Sequence, residues 1–291
     1  MTARGAELDL EAALRRAGWG ARLQSYRRLL AGASRSAAAD APRISIVVIA
    51  WRLNPDTVKS FRVLQSQPAA SELIFVNNGA GEREFDVLEP FADVSVRLRA
   101  NAGACGGRNL GAAFARAPLL LFLEDDGIPS PGLVAAHLDA FRKYDVIAVR
   151  GVITAKTDNP LNRLAAHYYL GDRPFPVFAD IEGNTSYNAE LFYRAGGWDE
   201  QLRYGREGLE LSRRLTELEP DRRKQIYAPG PLLSHDYAPD EAHLEIKLAR
   251  HRRATTLLRA RYPDYDEYLA SWDRYRGRDD LLIRRAAPET A

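Results

Sequence analysis

Three consecutive acidic residues, Glu124, Asp125 and Asp126, directly follow the apolar run at positions 119–123. A short apolar run of this kind predicts a buried β-strand, and in an open α/β sheet the carboxyl ends of the strands form the ligand-binding edge. Carboxylate oxygens are the ligands that hard cations such as Mg²⁺ and Mn²⁺ prefer. The triplet therefore predicts a site for a divalent metal ion, with a solvated acidic turn as the alternative.

A glycine-rich segment at 101–111 is a second candidate for ligand binding. Its four glycines, Gly103 among them, would let the backbone approach a ligand closely because glycine carries no side chain. Arg108 and Asn109 lie in the same segment, and both are predicted to contact a pyrophosphate or a ribose. The alternative for Arg108 is an exposed position without a ligand.

The elements that would position these residues alternate between strands and helices. Strands are predicted at 44–50, 72–76, 94–98, 119–123 and 146–154. One of the intervening helices is capped by Asn54 and runs to about Gln67. Because parallel strands need crossover connections, this alternation predicts an α/β protein with a doubly wound, mostly parallel sheet and flanking helices.

Helical extensions are predicted at both ends of this core. Residues 1–41 show helical periodicity followed by a small-residue linker at 32–41. A helix is predicted near 207–218, and 241–291 is predicted as a helical tail. Its possible packing stripe consists of Leu244, Leu248, Thr255 and Leu258. Its basic segment at 247–253 is predicted to be a solvated helix face, with a phosphate-binding or membrane-binding patch as the alternative.

Composition excludes several classes of protein. The 291 residues are 46% hydrophobic and 27% charged, and the formal net charge of +2 gives no reason to expect nucleic acid as a partner. Cys105 is the single cysteine, which excludes an intramolecular disulfide and fits a reducing cytoplasm. We expect a soluble cytoplasmic protein without a transmembrane segment, because no run approaches the ~20 apolar residues that span a bilayer.

Six segments, in their order along the chain, resemble an inverting nucleotide-sugar glycosyltransferase of family 2 with the GT-A fold. They are Ala50-Trp51-Arg52, residues 76–80, residues 101–111, Glu124-Asp125-Asp126, residues 196–200 and residues 205–211. The resemblance spans about 43–240, and no single segment would suffice because short motifs recur by chance. It implies a transferase domain at 42–240, with a nucleotide-sugar half at 42–154 and an acceptor half at 155–240.

The resemblance also implies roles at the donor site. Glu124 and Asp126 fall on the two acids of a DxD motif, which holds the metal that bridges the phosphates of the sugar nucleotide. Asp126 is the expected metal ligand, whereas the longer Glu124 would contact ribose or a metal-bound water, with Asp125 beside them. Ala50 and Arg52 would flank the nucleoside pocket. Asn77 stands where the family commonly has an aspartate that recognises the base, and an amide can still accept and donate hydrogen bonds there.

The expected general base departs from the family pattern. The chain has Glu207-Gly208 where the family has Glu-Asp, so the usual aspartate is missing. Glu207 is the favoured replacement, since it is adjacent and begins a predicted helix. Glu210 one turn later, or a carboxylate of Asp199 or Glu200, are the alternatives. A general base typically contributes ~10²–10⁴-fold to the rate.

Two further residues have roles implied by their positions. His235 matches a C-terminal histidine that completes the metal shell in many relatives. Trp198 would stack on an acceptor sugar or belong to the core. The segment at 158–176 would form an acceptor lid or a subunit contact. Its sequence does not separate the two.

The predicted activity is metal-dependent transfer, with inversion, of a sugar from a nucleoside-diphosphate sugar to a hydroxyl acceptor. The acceptor would be a glycan, a lipid-linked precursor or a small metabolite. The alternatives are a nucleotidyltransferase and a non-catalytic sugar-nucleotide-binding module. The sequence does not predict the oligomeric state.

Overall fold

The computed structural model describes residues 5–36, 41–67, 71–81, 86–203 and 205–286. The remaining positions, which include parts of the predicted N-terminal extension and linker, lie outside the described residues. The chain forms a β-sheet that is covered by helices.

The N-terminal extension contributes strands as well as helices. Its elements are β1 (Ala6–Glu7), α1 (Leu10–Arg16), α2 (Leu23–Leu29) and β2 (Leu30–Arg35). β2 pairs antiparallel with residues 94–98 at the edge of the sheet. The prediction of a purely helical extension is therefore wrong at 30–35. The reason is tertiary, since a sheet edge offers unpaired backbone groups that a short neighbouring segment can satisfy.

The nucleotide-binding half predicted from the sequence contains the central strands. Its elements are β3 (Ile44–Ala50), α3 (Pro55–Gln65), β4 (Ser71–Asn77), β5 (Val94–Leu98), α4 (Gly103–Ala113) and β6 (Leu119–Leu123). The Asn54 side chain caps α3 by accepting a hydrogen bond from the Thr57 N–H, as predicted. The strands are almost wholly buried, which explains their continuous apolar sequences.

The second half and the tail hold the remaining elements. They are β7 (Ile128–Pro129), α5 (Leu133–Lys143), β8 (Ala148–Thr154), β9 (Phe175–Pro176), β10 (Asn184–Asn188), α6 (Ala189–Arg194), α7 (Glu207–Leu218), β11 (Gln225–Ser234), α8 (Glu241–Arg261) and α9 (Tyr265–Ala270). A 3₁₀ segment, Pro160–Tyr168, lies between β8 and β9.

The sheet brings the ends of several strands to one edge. The hydrogen-bonded order is β1-β2-β5-β4-β3-β6-β10-β8-β11-β7, and β9 pairs with β11. Strands β3 to β6 pair in parallel, and β10 runs antiparallel to both β6 and β8, while β11 is parallel to β8. The six strands β3, β4, β5, β6, β8 and β11 therefore point the same way, so the acids after β6 and His235 after β11 lie along one edge.

The glycine-rich segment forms α4 itself rather than a loop before a helix. A Cβ at Gly111 would lie 2.7 Å from Val47 and 2.8 Å from Val76, both on the sheet. Here the absent side chain allows a helix to pack closely on strands. Gly111 was expected to let a ligand approach the backbone. It serves the close packing of α4 on the sheet instead.

The tail helix α8 is anchored at few positions. Ala254 and Leu258 are its buried residues, and they form a small cluster with Leu202 and Tyr265. The predicted stripe is correct only at Leu258, because the buried face of α8 packs on Leu202 and on Tyr265 of α9, whereas Leu248 is exposed. In the described part of the chain, no helix combines the length and the apolar character needed to cross a membrane.

Candidate active site

The strand ends open into a cavity of about 830 Å³. Its lining comes from the loop after β3, the acids after β6, residues 180–183, residues 205–209, His235 and one face of α8. Residues from both predicted halves and from the tail therefore meet at this cavity.

The three predicted acids form one wall of the cavity, which we call the acidic wall. Glu124, Asp125 and Asp126 each place a carboxylate oxygen within 4.8 Å of the others. Arg108 donates a hydrogen bond from Nη2 to Glu124 Oε1 at 3.0 Å, so this arginine is buried beside the acids rather than exposed. His235 Nε2 lies 3.1 Å from Asp126 Oδ1. The structure thus brings Glu124, Asp126, Arg108 and His235 together at one wall, while their roles toward a donor and a metal stay a prediction.

The electrostatics of this wall fit a cation. Burial and the charges of Asp126 and Glu124 raise the pKa of Asp125 well above its usual value. Burial acts to raise the pKa of Asp126 as well, but the hydrogen bond and charge of His235 outweigh it and lower that pKa. His235 Nδ1 is buried without a hydrogen-bond partner among the described residues. The three crowded carboxylates form a group that could hold a divalent cation, with the His235 imidazole beside it.

A pair of glutamates faces the cavity at the start of α7. Glu207 lines the cavity, and its Oε2 accepts a hydrogen bond from the Gly205 N–H at 2.6 Å. Glu182, which the sequence analysis did not identify, accepts a hydrogen bond from the Gly208 N–H at 2.7 Å. Burial and the charge of Glu207 raise the pKa of Glu182 to about 8. The protonated form of this group is therefore favoured at neutral pH, and the ionised form becomes available as the pH rises.

The backbone explains why position 208 carries no side chain. A Cβ at Gly208 would lie 2.7–2.8 Å from backbone atoms of Asp180, closer than real contacts allow. The segment at 180–182 therefore occupies the space that an aspartate at 208 would need. The same segment places the Glu182 carboxylate against the backbone N–H of Gly208.

Two of the alternative bases do not line the cavity. Glu210 is buried and paired with Arg214, and its Oε1 accepts a hydrogen bond from Tyr262 at 3.0 Å. Asp199 is paired with Arg261 instead. These predictions are corrected, because one helical turn or a short loop moves each carboxylate into an ion pair away from the cavity. Glu200 likewise accepts hydrogen bonds from Tyr26 and Asn109.

Trp198 and Asn109 belong to the core, not to a substrate surface. Trp198 is fully buried, with its ring 5.1 Å from that of Phe122. Asn109 is also fully buried and holds the Trp198 backbone, accepting from its N–H and donating to its carbonyl at 2.8 Å each. Neither residue is therefore placed to contact a substrate. The Asn109 side chain binds the backbone of Trp198 instead, and Trp198 takes the core position that was one of its two alternatives.

The predicted nucleoside-side residues divide into two groups. Arg52 lines the cavity beside Trp51, as expected. Ala50 and Asn77 are buried at the strand ends, and Asn77 accepts a hydrogen bond from the Ala80 N–H at 2.9 Å, which shapes the turn. Both are corrected to positions behind the cavity surface.

The residue after Asn77 reaches the cavity instead. Asn78 lines it and donates to the carbonyl oxygen of Gly103 at 3.2 Å. Gly103 has φ +76°, a conformation that favours glycine, and it begins α4 next to the cavity rather than lining it. Its predicted contact with substrate is therefore replaced by a role in joining α4 to β4.

A second group of lining residues, which we call the basic wall, consists of Arg206, Lys247, Arg250 and His251. The last three lie on one face of α8, while Arg252 and Arg253 on another face are exposed. Arg250 is exposed as well, so the prediction of a solvated face is correct for the three arginines but not for Lys247 and His251, which are half-buried. The spacing of His243, Lys247 and His251, four residues apart, could have indicated a shared face.

Aromatic side chains complete the lining between the two walls. Tyr168 and Tyr237 line the cavity, with ring centroids 5.7 Å apart. The Lys247 ammonium lies 3.8 Å from the centroid of the Tyr237 ring. Tyr168 belongs to the segment 158–176, so this segment reaches the cavity; its function as a lid stays a prediction.

Comparisons with known proteins give a consistent picture. The family model described as Glycosyl transferase family 2 matches residues 45–197, just over half of the chain. The uncharacterized glycosyltransferase YfnE of Bacillus subtilis (strain 168) is 28% identical over 116 residues, which are 38% of this chain and 30% of that protein. The chain therefore matches less than a third of the length of this relative.

Solved structures share the fold. The mannosyltransferase PcManGT from Pyrobaculum calidifontis, in complex with GDP-Man and Mn²⁺, has a TM-score of 0.55 at 16% identity, covering 84% of this chain and 73% of its own. GalNAc-T7 with UDP, GalNAc and Mn²⁺ has a TM-score of 0.54 at 14% identity, covering 67% of this chain and 43% of its own. The predicted α/β fold of the GT-A type is confirmed.

Proposed function

The chain belongs to glycosyl transferase family 2, and on that premise we propose that it transfers a sugar from a nucleoside-diphosphate sugar to an acceptor hydroxyl. One observation carries the proposal. The cavity holds a group of three carboxylates with His235 and, in the same space, the separate pair Glu182 and Glu207. A donor site and a proton acceptor are the two functions that such a transfer requires.

The acidic wall is the proposed donor site. Asp126 and His235, with Glu124 and Asp125 beside them, would hold a divalent cation. Once bound, the cation would supply Lewis-acid stabilisation of the charge on the departing diphosphate. Arg108 orients Glu124 and carries positive charge into the same region. The Mn²⁺ complexes of PcManGT and GalNAc-T7 support this assignment.

The pair of glutamates is the proposed general base. Glu207 was the favoured candidate, and Glu182 takes the place of the missing aspartate at 208 through its contact with the Gly208 N–H. The acceptor oxygen attacks the anomeric carbon, the bond from that carbon to the diphosphate oxygen breaks, and the hydroxyl proton passes to the pair. Direct attack on the face opposite the leaving group would invert the configuration of the sugar.

The wider setting is also proposed. We assign 42–154 to the donor half, 155–240 to the acceptor half, and 241–291 to a tail whose first helix lines the acceptor side. A cytoplasmic location and a glycan, lipid-linked precursor or small metabolite as acceptor stay predictions. A sugar-nucleotide-binding module without catalysis would bind donor and metal but release no diphosphate.

The first test combines binding and turnover. Thermal unfolding is measured with UDP, GDP, dTDP and CDP, each with Mn²⁺ and with EDTA, because a ligand at a hundred times its Kd adds ~2.7 kcal/mol to stability. We expect one nucleotide to stabilise the protein only with metal. Release of that nucleoside diphosphate from its common sugars is then followed with acceptor mixtures.

Variants of two aspartates sharpen this test. Asp126→Asn should abolish the metal-dependent shift, whereas Asp139→Asn on the outer face of α5 should not change it. A wild-type protein that no nucleotide stabilises in the presence of metal would overturn the donor assignment. Binding without release of diphosphate from any sugar nucleotide would favour the binding module.

A further inference from the structure

The basic wall contains an arginine in an unusual state. Arg206 lines the cavity, and its Nε is buried without a hydrogen-bond partner among the described residues. Its backbone is left-handed, with φ +66°, which is uncommon for a residue with a side chain. Buried guanidinium nitrogens normally find acceptors, so an acceptor missing from the chain itself indicates a ligand.

The surrounding chain holds Arg206 in this conformation. Gly205 before it has φ +138°, and a Cβ there would lie 2.5 Å from His251 Cδ2. Glu207 after it is held by the Gly205 N–H. A strained backbone that its neighbours enforce is often found at binding sites, because the strain serves to aim a side chain. Here it holds an arginine whose side chain lines the same cavity as the proposed base.

Neither Arg206 nor Lys247 is paired with a carboxylate in the described part of the chain. Three of the acids that line the cavity are paired elsewhere: Glu124 with Arg108, Asp126 with His235, and Asp180 with Arg150 at 2.8 Å. The charges of Glu124, Asp126 and Glu182 still act on Lys247 over a longer range. Among the described residues, no ion pair within 4.0 Å involves Arg206 or Lys247; Lys247 donates to the Tyr237 carbonyl oxygen at 2.8 Å.

The titration of His251 agrees with a positive potential. Burial, followed by the charges of Arg206, Lys247 and His167, lowers the pKa of His251 to about 4. The imidazole is therefore neutral near pH 7 and can donate or accept a hydrogen bond. A cluster of cations that disfavours one further positive charge favours a negative one.

Resting on the proposed function, we propose that Arg206 and Lys247 bind an anionic group of the acceptor, a phosphate or a carboxylate. The guanidinium presents two parallel N–H donors that match the oxygens of either group. Arg206 and Glu207 are consecutive and both line the cavity, so we expect an anion held by Arg206 to keep an acceptor hydroxyl on the side of the base. The donor phosphates, by contrast, are assigned to the acidic wall.

Binding of inorganic phosphate and of glucuronate, each compared with glucose, tests this proposal by calorimetry. The protein is titrated with and without a saturating nucleoside diphosphate and Mn²⁺. We expect both anions to bind more tightly than glucose and to bind equally well when the nucleotide is present. Arg206→Gln and, separately, Lys247→Gln should weaken both anions about tenfold, the contribution of one charge-assisted hydrogen bond.

Arg253→Gln is the matched control, because this exposed arginine lies on the outer face of the same helix. It should bind the anions like the wild type, and all three variants should retain nucleotide binding, which also verifies their folding. Displacement of phosphate by the nucleotide would assign the wall to the donor and overturn the proposal. Anions that bind no better than glucose, while the nucleotide binds, would overturn it and leave the proposed function intact. Failure of the nucleotide itself to bind would instead contradict the proposed function.

Discussion

The two walls of the cavity differ in how the chain supports them. The acidic wall consists of neighbouring residues at the end of β6, where Leu121 and Leu123 are buried in a large core cluster with Leu233 of β11. The basic wall joins Arg206 to a face of α8, whose buried anchors are Ala254 and Leu258. One wall is continuous with the central sheet, whereas the other depends on a small cluster near the surface.

This difference in support predicts which of the two walls moves more easily. Parts of a protein with few buried contacts open locally at lower free energy than its core. We therefore expect the acidic wall to keep its geometry while the basic wall adjusts when substrates enter and leave.

The largest effect is expected from the glutamates between the walls. Glu207→Gln should lower kcat by ~10²–10⁴-fold, since the amide cannot accept the acceptor proton. Glu210→Gln, one turn further along α7, should mainly weaken the pair with Arg214 and lower the free energy of unfolding by about 1.5–3 kcal/mol. Steady-state kinetics and urea unfolding of both variants measure this difference. Equal losses of kcat would contradict the assignment of the base.

The anchoring of α8 can be tested with adjacent leucines. Leu258→Ala removes a fully buried side chain and should destabilise α8 by about 2–5 kcal/mol, as cavities in small clusters do. Hydrogen exchange in 241–261 should accelerate, while metal-dependent nucleotide binding stays unchanged. Leu257→Ala is the control, because Leu257 is 47% exposed. Loss of nucleotide binding in the Leu258 variant would show that the two walls are not independent.

The close contact at Gly208 predicts a smaller loss of stability. Gly208→Ala would force the Asp180 backbone away and should cost about 1–3 kcal/mol. It should also lower kcat by moving Glu182. Gly20→Ala, at a position with open space around the Cβ, should behave like the wild type. A fully stable and active Gly208→Ala would refute the steric explanation for the missing aspartate.

The last prediction concerns pH. The pKa of Glu182 is about 8 in the folded protein, above the 4.5 of a free glutamate. The folded state therefore binds the proton more tightly, so stability should fall as the pH rises from about 4.5 to 8, while the fraction of ionised base and the rate should rise. Glu182→Gln should remove this part of both profiles. An unchanged rate profile in the variant would assign the titration to another group.

The fold was largely predictable because its strands and helices are encoded locally. The apolar runs at β3, β5 and β6, the Asn54 cap and the period of α7 predicted those elements with nearly correct bounds. The strand β2 was missed, since its small, weakly patterned residues form a strand only because an unpaired edge lies beside them. Local sequence cannot show such an edge.

The candidate site was predictable only where its residues are consecutive or follow a strand. The acid triplet, Arg108 and His235 meet as expected, because parallel strands carry their following residues to one edge. Glu182 was missed because no spacing links it to Gly208. Asn109 was wrongly expected to contact substrate, and Trp198 takes the core position that was one of its two alternatives, since the same residue types serve the core and a binding site.

The sequence by itself determined the alternating sheet, the family, and the acids at the end of β6, because each depends on short-range patterns. The tertiary structure decided which carboxylates face the cavity, why position 208 must be glycine, and how α8 brings Lys247 towards Arg206. These features depend on contacts between residues far apart in the chain, whose distances and burial no local pattern specifies.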